Sequence, residues 1–250
     1  MIKRIYVSEI DRHNLSKHKT IEGEARDTFN YKNIVVKKPW GYEYLMFEND
    51  FVAIWILHLK KNQATSMHCH PRKKTSLVVL SGKVRGSTLS EWFDLNVMDG
   101  LIYESGVFHT SKALSNEVFI MEIETPPNKK DLVRLKDSYG REGKAYEGKS
   151  KMTNKLDKYK HLYFENKNII QSEKKFINNS ILQMSYCNSN TLNQEINEVD
   201  KKAIYVLLEE KIVELAHKEA FGVGNIFTIE QIKKYEDIKL FNKSLLFSIR

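Results

Sequence analysis

The feature that most constrains this chain is its succession of short apolar runs, each ended by a cluster of Asn, Asp, Gly, Lys or Ser, with few stretches of helical period between them. Residues 51–59, 76–80, 101–104 and 118–125 read as strands in the first half. Residues 181–186, 203–208, 211–216, 225–228 and 244–249 read as strands in the second. Strands joined by turns, without regularly interleaved helices, close into sandwiches or barrels rather than parallel sheets flanked by helices. The expected class is therefore all-β. The stretch 144–160 is rich in Lys and Gly and poor in apolar residues, so it reads as an exposed linker dividing the chain into residues 1–148 and 149–250.

The two halves carry one pattern twice. Lys73-Lys74-Thr75-Ser76 followed by Leu77-Val78-Val79-Leu80 has its counterpart in Lys201-Lys202-Ala203-Ile204 followed by Tyr205-Val206-Leu207-Leu208. A glycine-led run follows each, Gly100-Leu101-Ile102-Tyr103 and Gly224-Asn225-Ile226-Phe227. A diverged repeat of one β unit is the economical reading.

The formal net charge of +8 raises nucleic acid as a partner, but the lysines lie in scattered pairs such as 37–38, 60–61 and 233–234 rather than in one stripe. Solvated faces account for them, Arg72-Lys73-Lys74 included, and no nucleic-acid partner is expected. No apolar run approaches the roughly 18 residues of a membrane helix. Charges at Lys3 and Arg4 stand where a secretory signal needs an apolar segment, and the two cysteines, Cys69 and Cys187, are too few for a disulfide framework. These observations lead us to expect a cytoplasmic protein without a membrane partner.

His68-Cys69-His70 precedes a β run. On a strand, residues two apart share a face, so both imidazoles project together, and His109 from a neighbouring strand completes a three-histidine set for one divalent metal. His13, His18, His58, His161 and His217 lack such partners and read as ordinary. Glu122 and Glu124 alternate with Met121 and Ile123, so they share a face, either the interior, as candidate bases, or the outside of a sandwich strand. Arg141 is a candidate for gripping a sugar phosphate with its planar fork, or for a turn salt bridge.

These motifs carry a resemblance. His-x-His with the later Gly100-x4-Ser-Gly-x2-His109 resembles the paired motifs of the cupin superfamily. Lys38-Pro39-Trp40-Gly41-Tyr42-Glu43-Tyr44 and the run from Asp131 to Arg141 resemble the cupin domain of type II mannose-6-phosphate isomerases, over residues 36–141. The resemblance implies two jelly-roll barrels, the second degenerate, and a zinc, iron or manganese ion at His68, His70, Thr75 and His109. In that family the position of His68 is usually Gln and that of Thr75 usually Glu, so this site is more neutral than its relatives. Carried over by position, Glu122 also falls on a family Glu. Aligning the repeat puts Glu198 and Lys233 where the first half has His70 and His109, so the second barrel is expected to hold no metal. The implied function is isomerisation or epimerisation of an anionic sugar or sugar phosphate by a homodimer, in surface-polysaccharide or nucleotide-sugar metabolism. The neutral histidine set equally suits a three-histidine iron(II) dioxygenase, and the degenerate second copy suits a non-catalytic sugar-binding cupin.

Overall fold

The computed structural model describes residues 1–18, 29–166, 171–198, 202–213, 219–235, 238–240 and 242–250. Its first unit is a two-layered jelly roll. One layer is an eight-stranded sheet in the order Ile2–Ile5, Gly100–Tyr103, Lys74–Ser81, Val118–Thr125, Ala53–Leu59, Gly41–Glu48, Val35–Lys38 and Met152–Thr153. Facing it are a three-stranded sheet of Thr110–Ala113, Val84–Ser87 and Trp92–Leu95, and the pair Val133–Lys136 with Met67–Cys69.

The second unit repeats the plan. Its sheets run Lys175–Ile177, Ser180–Cys187, Ser244–Ile249, Ile204–Leu207, Ile226–Thr228, and Glu219–Phe221, Ile212–Val213, Lys239–Leu240. Matched in chain order, these eight strands take the neighbours of Gly41–Glu48, Ala53–Leu59, Val118–Thr125, Lys74–Ser81, Gly100–Tyr103, and of Trp92–Leu95, Val84–Ser87, Thr110–Ala113. The faint sequence repeat is thus a repeat of topology. The expected strand at 211–216 is seen as Ile212–Val213, and residues 214–218, with His217, lie outside the described residues.

Alternation along Val118–Thr125 shows how the large sheet is used. Val118 and Ile120 point into the first unit's interior with Trp55, Leu57 and Leu77. Phe119, Met121 and Ile123 point the other way, into a cluster shared with Leu182, Met184, Ile204, Phe247 and Ile249 of the second unit. The sheet is buried on both faces, and the two units pack sheet on sheet. The glycines that led the repeat are spacers at this contact. A Cβ on Gly100 would lie 2.4 Å from Ile226 Cδ1, and one on Gly224 would lie 1.9 Å from Thr125 Oγ1. Ser76 Oγ donates to the Gly224 carbonyl at 2.7 Å, and Lys74 Nζ to the Val223 carbonyl at 2.9 Å.

The stretch 144–160 is largely exposed, yet it is held to the first unit at several points. The Lys144 and Ala145 carbonyls accept from Arg134 at 2.7 and 2.5 Å, and Met152 and Thr153 pair with Val36 and Val35 in the first sheet. Its Lys and Gly content concealed two anchors, Tyr146 and Glu147. The crossover to the second unit runs between Thr153 and Lys175. The N-terminal segment is also built in. Ile2–Ile5 runs parallel to Gly100–Tyr103, and a capping box between Ser8 and Asp11 starts the helix Glu9–Leu15. Among the described residues no helix is long and apolar enough to cross a membrane.

Candidate metal centre and the charged interior around it

His68 lies on the strand Met67–Cys69, and His70 follows it directly. Reciprocal backbone bonds of 3.0 and 2.7 Å tie His68 to His109 across an antiparallel bridge. One ligand atom from each of His68, His70 and His109 falls within 4.8 Å of the others. Each ring is oriented by a backbone carbonyl at Nδ1: Ser66 for His68 at 2.8 Å, Asp131 for His70 at 2.6 Å, and Val107 for His109 at 2.9 Å. A carbonyl only accepts, so Nδ1 carries the proton in all three rings and Nε2 presents a lone pair. Nε2 of His70 and of His109 is buried without a hydrogen-bond partner. Orphaned lone pairs of this kind are costly unless something occupies them, and a divalent cation fits all three.

Burial pushes the three imidazoles below the usual histidine range, His109 to about 4, which keeps them in the neutral form that a metal ligand needs. Tyr103 stacks on His109 with ring centroids 4.2 Å apart. Thr75 is a cross-strand partner of both Tyr103 and Glu124, so it shares their interior face, and its Oγ1 is buried without a partner.

The N-terminal helix reaches this site, a link that nothing in the local sequence signals. Asp11 is buried, and its Oδ1 accepts from the Phe108 N–H at 3.0 Å, fixing the turn that delivers His109.

Of the two faces open to Glu122 and Glu124, the structure selects the interior. Both are buried, and both line a cavity of about 50 Å³ with His68, His70, Trp40 and Lys129. Lys73 and Lys129 hold Glu124 at 2.9 and 2.8 Å, and Lys129 also lies 3.5 Å from Glu43 and 3.9 Å from Glu122. Burial raises any carboxyl pKa and cations lower it, so distance decides between them. At Glu122 burial wins, because its ammonium partner is 3.9 Å away, and the carboxyl is pushed up to about 7. At Glu124 burial is overcome by the two close lysines, and at Glu43 by Lys129 and Lys38, which hold it down to about 2.

Lys73 corrects an expectation. It is only 2% exposed rather than solvated, because Asp131 Oδ2 accepts from its backbone N–H at 2.9 Å and turns the side chain inward to Glu124. Arg141 forms the turn salt bridge, gripping Asp137 at 2.7 Å, and also reaches Glu147 at 2.6 Å. A larger cavity of about 570 Å³ shares Leu132, Arg134 and Tyr146 with the small one as lining residues.

The second unit replaces both ligand segments. Where the first has Met67–Cys69, the second has the helix Ser189–Glu198, and after Ile226–Thr228 comes the helix Ile229–Ile232 instead of the turn to His109. Leu192, Ile229 and Ile232 fill the interior with Tyr205, Phe227 and Leu240. Lys233 is exposed at the end of the second helix, and the Glu198 side chain lies outside the described residues. Among the described residues, His68, His70 and His109 form the one group of three potential metal-binding side chains of the His, Cys, Asp or Glu kind.

The first unit is thus a jelly roll in which a His-x-His segment faces a third histidine. No family model matches the chain, and no curated protein matches it. Among solved structures it is similar to KdgF from Halomonas sp., at 12% identity over 45% of this chain and 92% of that one, with a TM-score of 0.34. It is similar to a conserved protein with a double-stranded β-helix domain from Klebsiella pneumoniae, at 19% identity over 46% and 100%, TM-score 0.37. The capsular polysaccharide assembling protein CapF from Staphylococcus aureus matches at 17% identity over 41% of this chain and 32% of its own, TM-score 0.35.

Proposed function

We propose that the first unit binds one divalent metal through His68, His70 and His109 and acts there on an anionic sugar or sugar phosphate, as an isomerase or epimerase. The observation that carries this reading is that two chemistries meet in one cavity: two of the three grouped neutral imidazoles, His68 and His70, and a carboxyl, Glu122, poised to hold or release a proton near neutral pH. A zinc, iron or manganese ion, if held by these imidazoles, would supply a Lewis acid that polarises a carbonyl and so acidifies the carbon next to it. Glu122 takes the proton from that carbon and returns it to the neighbouring one, the task for which a pKa near the working pH is suited. Lys129 stands 3.9 Å from the carboxyl. Lys38, Lys73, Lys129, Arg134 and Arg141 line the same cavity, cations that an anionic substrate can engage.

The test measures metal content and aldose–ketose conversion over a panel of phosphorylated hexoses, for the wild type and Glu122→Gln. The expected result is one bound metal in both proteins and turnover in the wild type alone. Equal turnover by Glu122→Gln, or no metal in a folded wild type, overturns the reading. A second reading, an iron(II) dioxygenase, is favoured by the absence of a carboxylate from the three-histidine set. Oxygen uptake by the iron-loaded wild type that Thr75→Glu abolishes, with no hexose conversion, would select it.

A further inference from the structure

The Glu147 carboxylate lies where segment 137–147 crosses the charged cavity, and three cations hold it at once. Arg141 Nη1 donates to its Oε1 at 2.6 Å, Arg134 Nη2 donates to the same oxygen at 3.3 Å, and Lys38 donates to Oε2. The Glu147 side chain is 7% exposed, and those of Lys38 and Arg134 are 3% and 4%. The chain around it is anchored quite differently. Residues 142–145 and 148–151 are exposed. Gly140 and Gly143 take φ of 71° and 64°, and nothing lies within 4 Å of a Cβ built on Gly140, Gly143 or Gly148. A deeply paired carboxylate thus sits on a loop with glycines on both sides, held besides by the Tyr146 ring on Tyr31 and by the Lys144 and Ala145 carbonyls on Arg134.

The cations that hold Glu147 also line the cavity beside His68 and His70, and that cavity is about 50 Å³. This is room for a few waters and not for a sugar ring. A substrate therefore enters only if part of the wall moves. The segment that carries Glu147 has exposed residues and glycines on both sides of it.

We infer that Lys38, Arg134 and Arg141 form a subsite for an oxyanion, a phosphate or a carboxylate, and that Glu147 fills it as an internal stand-in which the ligand displaces. Guanidinium forks match the geometry of either anion. Exchange keeps all three cations paired, whereas withdrawing Glu147 with nothing in its place leaves Arg134 without a carboxylate and Lys38 and Arg141 with Glu43 and Asp137 alone. The loop accordingly stays shut in water and opens in exchange for an anion. The inference rests on the proposed function only in taking that anion to be part of a substrate.

The experiment uses the full chain, treated with chelator, with inorganic phosphate and then acetate as probes. Calorimetry is expected to show Glu147→Gln binding phosphate at least tenfold more tightly than the wild type, and Glu147→Gln/Arg141→Met losing that gain. Acetate responding in the same order marks a general oxyanion subsite, and phosphate alone marks one for phosphate. Amide exchange over 140–148 is expected to be slow in the wild type, faster with phosphate, and already fast in Glu147→Gln. Should Glu147→Gln fail to fold, Glu147→Asp keeps the charge and shortens its reach, and a several-fold gain is expected. A folded Glu147 variant with no gain, or exchange over 140–148 indifferent to phosphate, overturns the inference. Metal content measured in parallel separates the two claims: a wild type without metal that still binds phosphate in this order refutes the metal site and leaves the subsite standing.

Discussion

The two units share one strand order and have opposite interiors. In the first, Glu43, Lys73, Glu122, Glu124 and Lys129 are buried around three histidines. In the second, the corresponding space holds Leu192, Tyr205, Phe227, Ile232 and Leu246, and helices stand where the ligand-bearing segments would be. The scaffold evidently closes without a charged interior. Buried ion pairs seldom outdo well-packed apolar side chains in stability, because each ion gives up its hydration. The first unit retains its charges at a thermodynamic cost that the second unit avoids, and such retention points to chemistry rather than to folding.

The contrast can be broken in several ways, starting with the largest effect. Replacing His68, His70 and His109 together with alanine is expected to take bound metal from one equivalent to none. Elemental analysis reads it directly, and metal persisting in a folded triple variant would relocate the site. Next, Lys129→Met removes an ammonium shared by Glu43, Glu122 and Glu124 and is expected to destabilise by about 3–5 kcal/mol in denaturant titration. Phe227→Ala in the second unit is expected to cost a similar 3–5 kcal/mol through a cavity alone. The two differ in pH dependence, since the Lys129→Met loss shrinks in acid as the stranded carboxyls protonate and the Phe227→Ala loss does not.

A smaller effect follows from Glu122. Its pKa in the folded chain lies above the unfolded carboxyl value, so the folded state binds the proton more tightly and stability falls as pH rises from about 4.5 to about 7. The slope contributed is at most about 1.4 kcal/mol per pH unit, and Glu122→Gln should remove it. Glu43 has the opposite sign, its contribution being present above about 4.5 and lost as pH falls toward about 2. Unfolding curves across pH 2–8 resolve the two windows. The smallest effect is expected from Asp11→Asn, which weakens the bond to the Phe108 N–H and should lower metal affinity several-fold, measured by competition with a chromophoric chelator.

Much of the first unit was legible because it obeys local rules. The strand Val118–Thr125 alternates cleanly, and His68 and His70 share a face by spacing alone. The buried lysines were not legible. Lys73 and Lys129 follow or precede other cations in the chain, as solvated lysines do, and only pairing with Glu124 from a distant strand draws them inside. Glu147 was hidden in the same way, inside a stretch whose composition is that of a linker. The helix Ser189–Glu198 stands where the first unit has a strand, and with only Leu192 and Ile196 as apolar residues its segment carries little helical signal. Asp11 acts through a bond to a residue 97 positions away, and no window of sequence contains both ends.

The sheet buried on both faces has a consequence for how the protein behaves on dilution. Jelly rolls that meet as separate chains pair through such a face only above some threshold concentration, and come apart below it. Here Ile54, Phe119, Met121 and Ile123 meet Met184 and Phe247 on the same polypeptide. The covering face is tethered, so its local concentration does not fall however dilute the solution. The wall behind Glu122 and Glu124 is therefore supported in a single molecule, and activity per molecule should stay constant down to nanomolar protein unless a further partner contributes to the site.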